Sequence, residues 1–225
     1  MSRPRHTEPD NLLNVHAFLP ISYANGPGAR VVVWTQGCAL RCQGCCNLGT
    51  HSHAPRILIE PERLARYVSI IPGIEGLTVS GGEPFEQARA VASLCQTVRE
   101  RGLSIMVFTG WTYDFIRNSV NRDVQDLLAQ IDILVDGPFI QALSIGNLLW
   151  RGSSNQQIIF LTDRYGPEIL RDTAQPQMEV RFAGDGPLGI TGFPERVDLE
   201  SLAHRLREEA GIILKPTQIT SRHPD

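Results

Sequence analysis

Short apolar runs and segments of helical periodicity alternate through the first two-thirds of the chain. The apolar runs predict five strands, which are Val31–Gln36, Leu77–Ser80, Ser104–Thr109, Asp132–Asp136 and Gln156–Leu161. Pro61–Ile70 predicts a helix because it begins with proline and acid, and Pro84–Arg101 has a helical pattern that stops at Gly102. A broken helical region follows, with an apolar face on Val124, Leu127, Leu128 and Ile131. This alternation predicts an α/β fold with a mostly parallel sheet.

The last third of the chain has a different pattern. Met178–Phe182 and Leu188–Thr191 predict a β-hairpin around the glycines at 184 and 186. A helix is predicted after it on an apolar stripe formed by Leu199, Leu202, Ala203, Leu206 and Ala210. We therefore expect a core over residues 1–161 and a small α+β extension over residues 162–225, packed on that core.

Composition and charge exclude several classes of function. Of the 225 residues, 42% are hydrophobic and 20% are charged, which is ordinary for a globular protein. A formal net charge of −3 offers no basic field for phosphates, so nucleic acid is not expected as a partner. The arginines near the start precede no apolar segment, and the longest apolar runs have the length of strands. We expect no membrane association and a cytoplasmic location.

The distribution of the cysteines predicts a metal site. Four of the five cysteines lie between Cys38 and Cys46, whereas disulfides of a secreted protein join distant segments. The fifth, Cys95, lies on a helical apolar stripe with Val91 and Val98, and we interpret it as a small buried hydrophobe. The cluster of four is therefore the candidate for chemistry, within a loop over residues 37–47.

The spacing within this loop is C-x3-C-x2-C, formed by Cys38, Cys42 and Cys45. Thiolates are the ligands of iron–sulfur clusters, and three of them leave one iron of a [4Fe–4S] cluster open to a non-protein ligand. A structural zinc site that uses Cys46 or a nearby histidine, His51 or His53, is the alternative. Zinc leaves the glycine motifs farther along the chain unexplained. Adjacent side chains diverge, so we expect Cys46 beside the cluster.

A Ser-Gly-Gly-Glu-Pro sequence, residues 80–84, connects a predicted strand to a predicted helix. Paired glycines allow a ligand to approach the backbone, and the carboxylate of Glu83 suits an ammonium group, although a tight turn alone also explains the glycines. Thr109-Gly110 and Asp136-Gly137 end two other predicted strands. Ligands of parallel sheets bind at the carboxyl ends of strands, where these segments and the cysteine loop are expected to meet.

The chain resembles the radical S-adenosylmethionine (SAM) superfamily, and within it the activating enzymes of anaerobic (class III) ribonucleotide reductase. The resemblance runs in order from about residue 11 to about residue 161. It is carried by Asn25–Gly28, Trp34–Asn47, Ser80–Pro84, Thr109–Tyr113, Asp132–Phe139 and Arg151–Gln156. Each stretch alone is weak, whereas the ordered set is specific.

The resemblance implies a partial, open (β/α) barrel and a set of cofactor-binding residues. Cys38, Cys42 and Cys45 are implied to bind a [4Fe–4S] cluster, whose open iron chelates the amino and carboxylate groups of SAM. The other implied contacts of SAM are Gly81, Gly82, Glu83, Pro84, Thr109 and Asp136. Gly81, Gly82 and Glu83 are implied to contact its methionine part, chiefly the amino group.

The implied reaction begins when a flavodoxin-like donor reduces the cluster. SAM is then cleaved to methionine and a 5′-deoxyadenosyl radical, which removes hydrogen from a backbone glycine of a glycyl radical enzyme. Two alternatives stay open: a stand-alone radical SAM enzyme whose tail helps to form its pocket, and a zinc-stabilised binding module without catalysis.

The chain departs from the pattern of these activating enzymes at three places. Cys46 stands where an aromatic residue or histidine is common, Trp111 replaces a common tyrosine, and the stretch after Leu161 has no counterpart in the shortest activating enzymes. The Arg151–Gln156 run is either a polar loop entering a strand or part of the surface near SAM or the partner. The long tail leaves the particular substrate open.

Overall fold

The main sheet of the protein has seven strands. The computed structural model describes residues 11–145, 148–171, 178–181, 189–193, 201 and 204–209. The strands are β1 (Leu13–Ser22), β2 (Arg30–Thr35), β3 (Ile57–Ile59), β4 (Gly76–Gly81), β5 (Ser104–Phe108), β6 (Ile133–Asp136) and β7 (Gln157–Phe160). Their order across the sheet is β3-β1-β2-β4-β5-β6-β7. The central strands β2, β4, β5 and β6 run parallel, while β1, β3 and β7 pair antiparallel with their neighbours.

The predicted α/β fold with a mostly parallel sheet is confirmed, and all five predicted strands are present. Strands β1 and β3 were not predicted, because β1 contains His16 and Pro20 and has no clean alternation of buried and exposed positions. Strand β7 pairs antiparallel with β6. In the described residues between them, the regular structure is a short 3₁₀ helix, Gln141–Leu143, in place of the α-helix that usually joins parallel strands.

Helices cover one face of the sheet. They are α1 (Pro61–Ser69), α2 (Ala88–Arg99), α3 (Tyr113–Arg117) and α4 (Arg122–Leu128). Short 3₁₀ helices lie elsewhere along the chain, at Leu48–Thr50, Pro84–Gln87 and Pro167–Arg171. Alternate strand residues such as Val79 and Val107 pack against α1, α2 and α4 in the larger core. Cys95 is buried in this core, as predicted, and burial raises the pKa of its thiol. None of the helices in the described ranges is long and apolar enough to cross a membrane.

The other face of the sheet carries a smaller apolar cluster, to which the C-terminal extension contributes. Met106, Ile133 and Trp150 are buried there, and Tyr165 and Phe193 of the extension pack against them. Strands β8 (Met178–Arg181) and β9 (Gly189–Gly192) pair antiparallel, as the predicted hairpin requires. The turn of that hairpin lies outside the described residues. Of the predicted helix, residues 201 and 204–209 are helical, and Leu199, Leu202, Ala203 and Ala210 are outside the described residues.

Polar contacts join the hairpin to the end of β1 and to the segment that follows it. The carboxylate of Glu179 accepts hydrogen bonds from the Ser22 hydroxyl at 2.6 Å and from the Tyr23 backbone N–H at 2.9 Å. The Asn25 side-chain amide donates to the Thr191 hydroxyl at 2.9 Å. Since Ser22, Asn25 and Thr191 are buried, these bonds hold the hairpin in a defined place.

A buried arginine fixes the amino ends of the central strands. The Arg30 guanidinium donates to the hydroxyl groups of Thr78 at 2.9 Å and Ser104 at 2.8 Å, and to three backbone carbonyls. The Tyr165 hydroxyl of the extension bonds both Ser104 and Glu75. Burial lowers the pKa of Arg30, and the nearby Tyr165 and Glu75 oppose that shift. This end of the sheet is thus filled by buried side chains of the protein itself, among them Arg30, Thr78 and Ser104.

Candidate functional site

A cavity of about 510 Å³ lies at the carboxyl ends of the parallel strands. Its wall is formed by the cysteine loop, the ends of β4 and β5, the loops that precede and follow the short Gln141–Leu143 helix, and β9. The predicted meeting of the cysteine loop, the glycine turn and Thr109-Gly110 at one edge of the sheet is confirmed. Gly137 also borders this cavity.

The cysteine loop contributes four cysteines to the wall of the cavity, namely Cys38, Cys42, Cys45 and the adjacent Cys46. All are free, and burial raises the pKa of Cys38. A hydrogen bond with the exposed Cys46, together with burial, raises the pKa of Cys45. Among the described residues, no three cysteine, histidine or carboxylate side chains are close enough to hold a single metal ion. Cysteine side chains that border one cavity do fit an iron–sulfur cluster, and binding it requires the loss of the protons of the ligating thiols.

The two histidines after the cysteines have different surroundings. His51 borders the cavity. The Nε2 of His53 lies 2.7 Å from Glu86 Oε2, and its side chain is 57% exposed. The same carboxylate accepts the Ala39 backbone N–H at 2.9 Å through Oε1. His53 and Glu86 therefore position the cysteine loop from outside the cavity.

Gln87 adds a second brace that the sequence analysis missed. Its side-chain amide donates to the Gln36 carbonyl at 2.9 Å, and its Oε1 accepts the Asn14 N–H at 2.8 Å. The only signal for Glu86 and Gln87 in the sequence is their position, two and three residues after the Gly-Gly-Glu-Pro turn. From the sequence alone, Glu86 and Gln87 are indistinguishable from ordinary polar residues at the start of a helix.

The two glycines of the turn are required by contact with the chain that enters the cysteine loop. A Cβ on Gly82 would lie 2.0 Å from the Gly37 carbonyl oxygen, and a Cβ on Gly81, whose φ is +103°, would lie 2.5 Å from the Thr35 nitrogen. The N–H of Gly82 donates to Thr35 O, and the N–H of Glu83 donates to Gly37 O, both at 2.8 Å. Both glycines also border the cavity, but close packing of backbone on backbone already explains them.

Glu83 joins the ends of β4 and β5. Its Oε1 accepts the Phe85 N–H at 3.0 Å and the Thr109 hydroxyl at 2.8 Å, and its Oε2 accepts the Gly110 N–H at 2.8 Å. The residue is completely buried against the cavity wall. Burial raises the pKa of its carboxyl to about 7, although the three hydrogen bonds favour the ionised form. Thr109, which also borders the cavity, is thereby oriented.

Two other residues that were predicted to bind the cofactor have structural contacts. Pro84 is a buried first residue of a 3₁₀ helix. Asp136 Oδ2 accepts the Tyr113 N–H at 2.6 Å, and Oδ1 accepts the Gln157 N–H at 3.2 Å. Neither belongs to the described residues that line the cavity. Their contacts with SAM stay predictions.

The Arg151–Gln156 run forms a turn around the Gln156 side chain. Gln156 Oε1 accepts the backbone N–H groups of Gly152 at 2.8 Å and Ser153 at 3.2 Å, while its Nε2 donates to the Gly137 carbonyl at 2.9 Å. Arg151, Gly152 and Gln156 border the cavity. The run is thus an ordered part of the cavity wall, and its Gln156 side chain binds the segment after β6.

The extension supplies a further part of the wall, which the sequence analysis did not assign to particular residues. Thr191, Gly192 and Phe193 border the cavity. The ring of Phe193 stacks on that of Phe108, with centroids 5.5 Å apart. No local pattern in the sequence indicates that this segment reaches the strand ends.

The sequence of this chain is similar to those of known proteins. The model of a family described as a 4Fe-4S single cluster domain matches residues 24–159. An anaerobic ribonucleoside-triphosphate reductase-activating protein of Vibrio cholerae is 37% identical over 154 residues, which cover 65% of this chain and 97% of the relative. Proteins of the same name from Escherichia coli K12 and enterobacteria phage T4 are 34% and 29% identical over 157 residues, covering 97% and 96% of those relatives.

Replacing Gly82 with alanine is expected to destabilise the protein by about 2 kcal/mol or more, because the new Cβ displaces the Gly37 carbonyl and breaks the backbone contact beneath the cysteine loop. Urea unfolding measures the loss. Gly189→Ala is the matched control, since a Cβ there meets its nearest atom at 3.7 Å. Equal stability of the two variants contradicts the close contact.

Glu83→Gln is expected to change how stability depends on pH. The pKa of Glu83 is raised from 4.5 to about 7 in the folded protein, so the stabilisation by its bound proton is complete below about pH 4.5 and is lost as the pH rises through 7. Relative to the Gln variant, the wild-type free energy of unfolding should fall by about 3 kcal/mol across that window. Urea unfolding from pH 4.5 to 8 tests this. Exposed Glu100→Gln is the control for loss of a carboxylate, and parallel wild-type and Glu83→Gln profiles refute the expectation.

Proposed function

This chain belongs to the family of anaerobic ribonucleoside-triphosphate reductase-activating proteins, and we propose that it cleaves SAM reductively to activate a glycyl radical enzyme of the anaerobic ribonucleotide reductase type. The observation that carries the proposal is the shared cavity. Three cysteines at C-x3-C-x2-C spacing and the Gly81–Glu83 turn border the same space at the carboxyl ends of parallel strands. A cluster ligand set and a polar turn suited to an amino acid group therefore lie within reach of one ligand.

The residues of this chain would hold the reactants in the following way. Cys38, Cys42 and Cys45 bind a [4Fe–4S] cluster as thiolates. When bound, this cluster supplies one electron to SAM, which yields methionine and a 5′-deoxyadenosyl radical. Gly81 and Gly82 present backbone polar groups to the methionine part, and Glu83 faces its amino group. A hydrogen bond donated to Glu83 favours the ionised carboxylate and lowers its raised pKa.

Several finer assignments belong to the same proposal. The proposed fold is a partial, open (β/α) barrel over residues 1–161, with residues 162–225 as an extension packed on it. Contacts of Glu179 and Thr191 with the segment between β1 and β2 support this division. A flavodoxin-like protein is the electron donor, and the reaction takes place in the cytoplasm. The net charge of −3 supports a protein partner over a nucleic acid.

One observation favours a second candidate function. Thr191, Gly192 and Phe193 of the extension border the cavity, and they narrow the face that a partner's glycine loop has to enter. A stand-alone radical SAM enzyme that modifies a small molecule or peptide uses such a wall to form its pocket. The two candidates share the cluster and SAM, and they differ in the group that loses hydrogen.

Substitution of each cysteine should separate ligands from neighbours. After anaerobic reconstitution with iron and sulfide, wild-type protein should bind about four irons per chain and form 5′-deoxyadenosine from SAM and dithionite. Cys38→Ala, Cys42→Ala and Cys45→Ala should lose both, whereas Cys46→Ala and the buried control Cys95→Ala keep both. Loss of the cluster only in Cys46→Ala overturns the ligand assignment. Wild-type protein that binds one zinc and forms no 5′-deoxyadenosine contradicts the function itself.

Transfer of the radical to a partner should distinguish the two candidate functions. Reconstituted protein, SAM and reductant are incubated with an anaerobic ribonucleoside-triphosphate reductase, and electron paramagnetic resonance detects a glycyl radical. We expect the signal to appear with the intact reductase and to be absent from a reductase whose radical glycine is replaced by alanine. Formation of 5′-deoxyadenosine without any glycyl radical favours the stand-alone enzyme.

A further inference from the structure

Arg151 is the one lysine or arginine among the described residues that line the cavity. It follows Trp150, which is buried and has a φ of +52°, in the left-handed region that bulky side chains rarely adopt. Such backbone strain persists only where the surroundings enforce it. The turn around the Gln156 side chain provides that enforcement, because it fixes the residues directly after Arg151.

The guanidinium of Arg151 is not saturated by the protein. One nitrogen, Nη1, donates to the Gln156 carbonyl at 3.3 Å, while the buried Nε has no hydrogen-bond partner. No carboxylate in the described part of the chain forms an ion pair with it. Arg30 differs, since its Nε and both terminal nitrogens donate hydrogen bonds. Arg99, the partly buried arginine of the helical face, pairs with Asp132 at 3.0 Å.

A half-buried cation without a counter-charge favours an anionic ligand. Withdrawing a guanidinium from water has a cost that an acidic partner offsets, and its planar set of donors matches the two oxygens of a carboxylate. Within the proposed function, the ligand of this cavity is SAM, whose anionic group is the carboxylate of its methionine part. Glu83 lies on the wall of the same cavity and suits the amino group of that part as a hydrogen-bond acceptor.

We infer that Arg151 binds the carboxylate of SAM and, with Glu83, sets the orientation of its amino acid end. This inference rests on the proposed function. It assigns a ligand contact to a segment beyond the parallel strands, and it explains why the Gln156 turn is built into the cavity wall. A carboxylate of a partner protein has the same chemistry, so the test is made without a partner.

The test compares two ligands on reconstituted protein by equilibrium binding. The ligands are SAM and decarboxylated SAM, which lacks only the carboxylate. Arg151→Gln should raise the Kd for SAM about tenfold or more and change the Kd for decarboxylated SAM less than about twofold. Decarboxylated SAM also lacks every other contact of the carboxylate. This loss is the same in all variants, so it does not affect the ratio of the Kd values of two variants for that ligand. Arg151→Lys should fall between wild type and Arg151→Gln.

Arg122→Gln is the matched control, since Arg122 lies on α4 and its side chain is 91% exposed. Iron content and circular dichroism establish that each variant is folded and loaded. Equal SAM affinity of wild type and Arg151→Gln overturns the inference, as does an equal weakening for both ligands, which marks Arg151 as a support of the loop. Wild-type protein that binds no SAM overturns the proposed function instead, so the two failures are distinguishable.

Discussion

The site depends on a contact of backbone against backbone, between the Gly81-Gly82 turn and the residues that lead into the cysteine loop. The Gly37 carbonyl occupies the space of a Cβ on residue 82, and two hydrogen bonds of 2.8 Å hold the segments together. Glu86 and Gln87, which follow in the same segment, then bond the flanks of the loop. The 3₁₀ helix over Pro84–Gln87 therefore helps to fix the position of the cysteine loop.

The two ends of the parallel strands are built by different means. At their amino ends, Arg30 satisfies hydroxyl and carbonyl groups of three neighbouring segments and leaves no space. At their carboxyl ends, Glu83 and Asp136 accept backbone N–H groups and thereby fix the loops, while a cavity stays open beside Glu83. Residues that look like ligands in the sequence thus also serve as braces, and a substitution at either one changes geometry as well as chemistry.

The central strands and helices were predictable because buried parallel strands produce uninterrupted apolar runs, and the helices between them have clear starts and stops. The three cysteines and the glycine turn were predictable for a similar reason, since their signal is local. β1 escaped prediction because its burial is mixed along the strand. The bonds of Glu83 to Thr109 and Gly110, and the place of Phe193 on the cavity, arise from contacts between residues 26 or more positions apart. The turn that carries Arg151 is joined to the segment after β6 by the bond from Gln156 to Gly137, 19 positions away. No periodicity encodes them.

The family model matches this chain as far as residue 159. The wall of the cavity includes residues beyond that point, since Phe193 is part of it. The cysteine loop and this part of the wall therefore lie on separate portions of the chain, one inside the family match and one beyond it. Substitution of Thr191 or Phe193 alters the shape of the cavity and leaves the cysteine loop unchanged. The outline of the cavity and the cysteines beside it are thus encoded separately, so the molecules that fit can differ between two chains with the same cysteine motif.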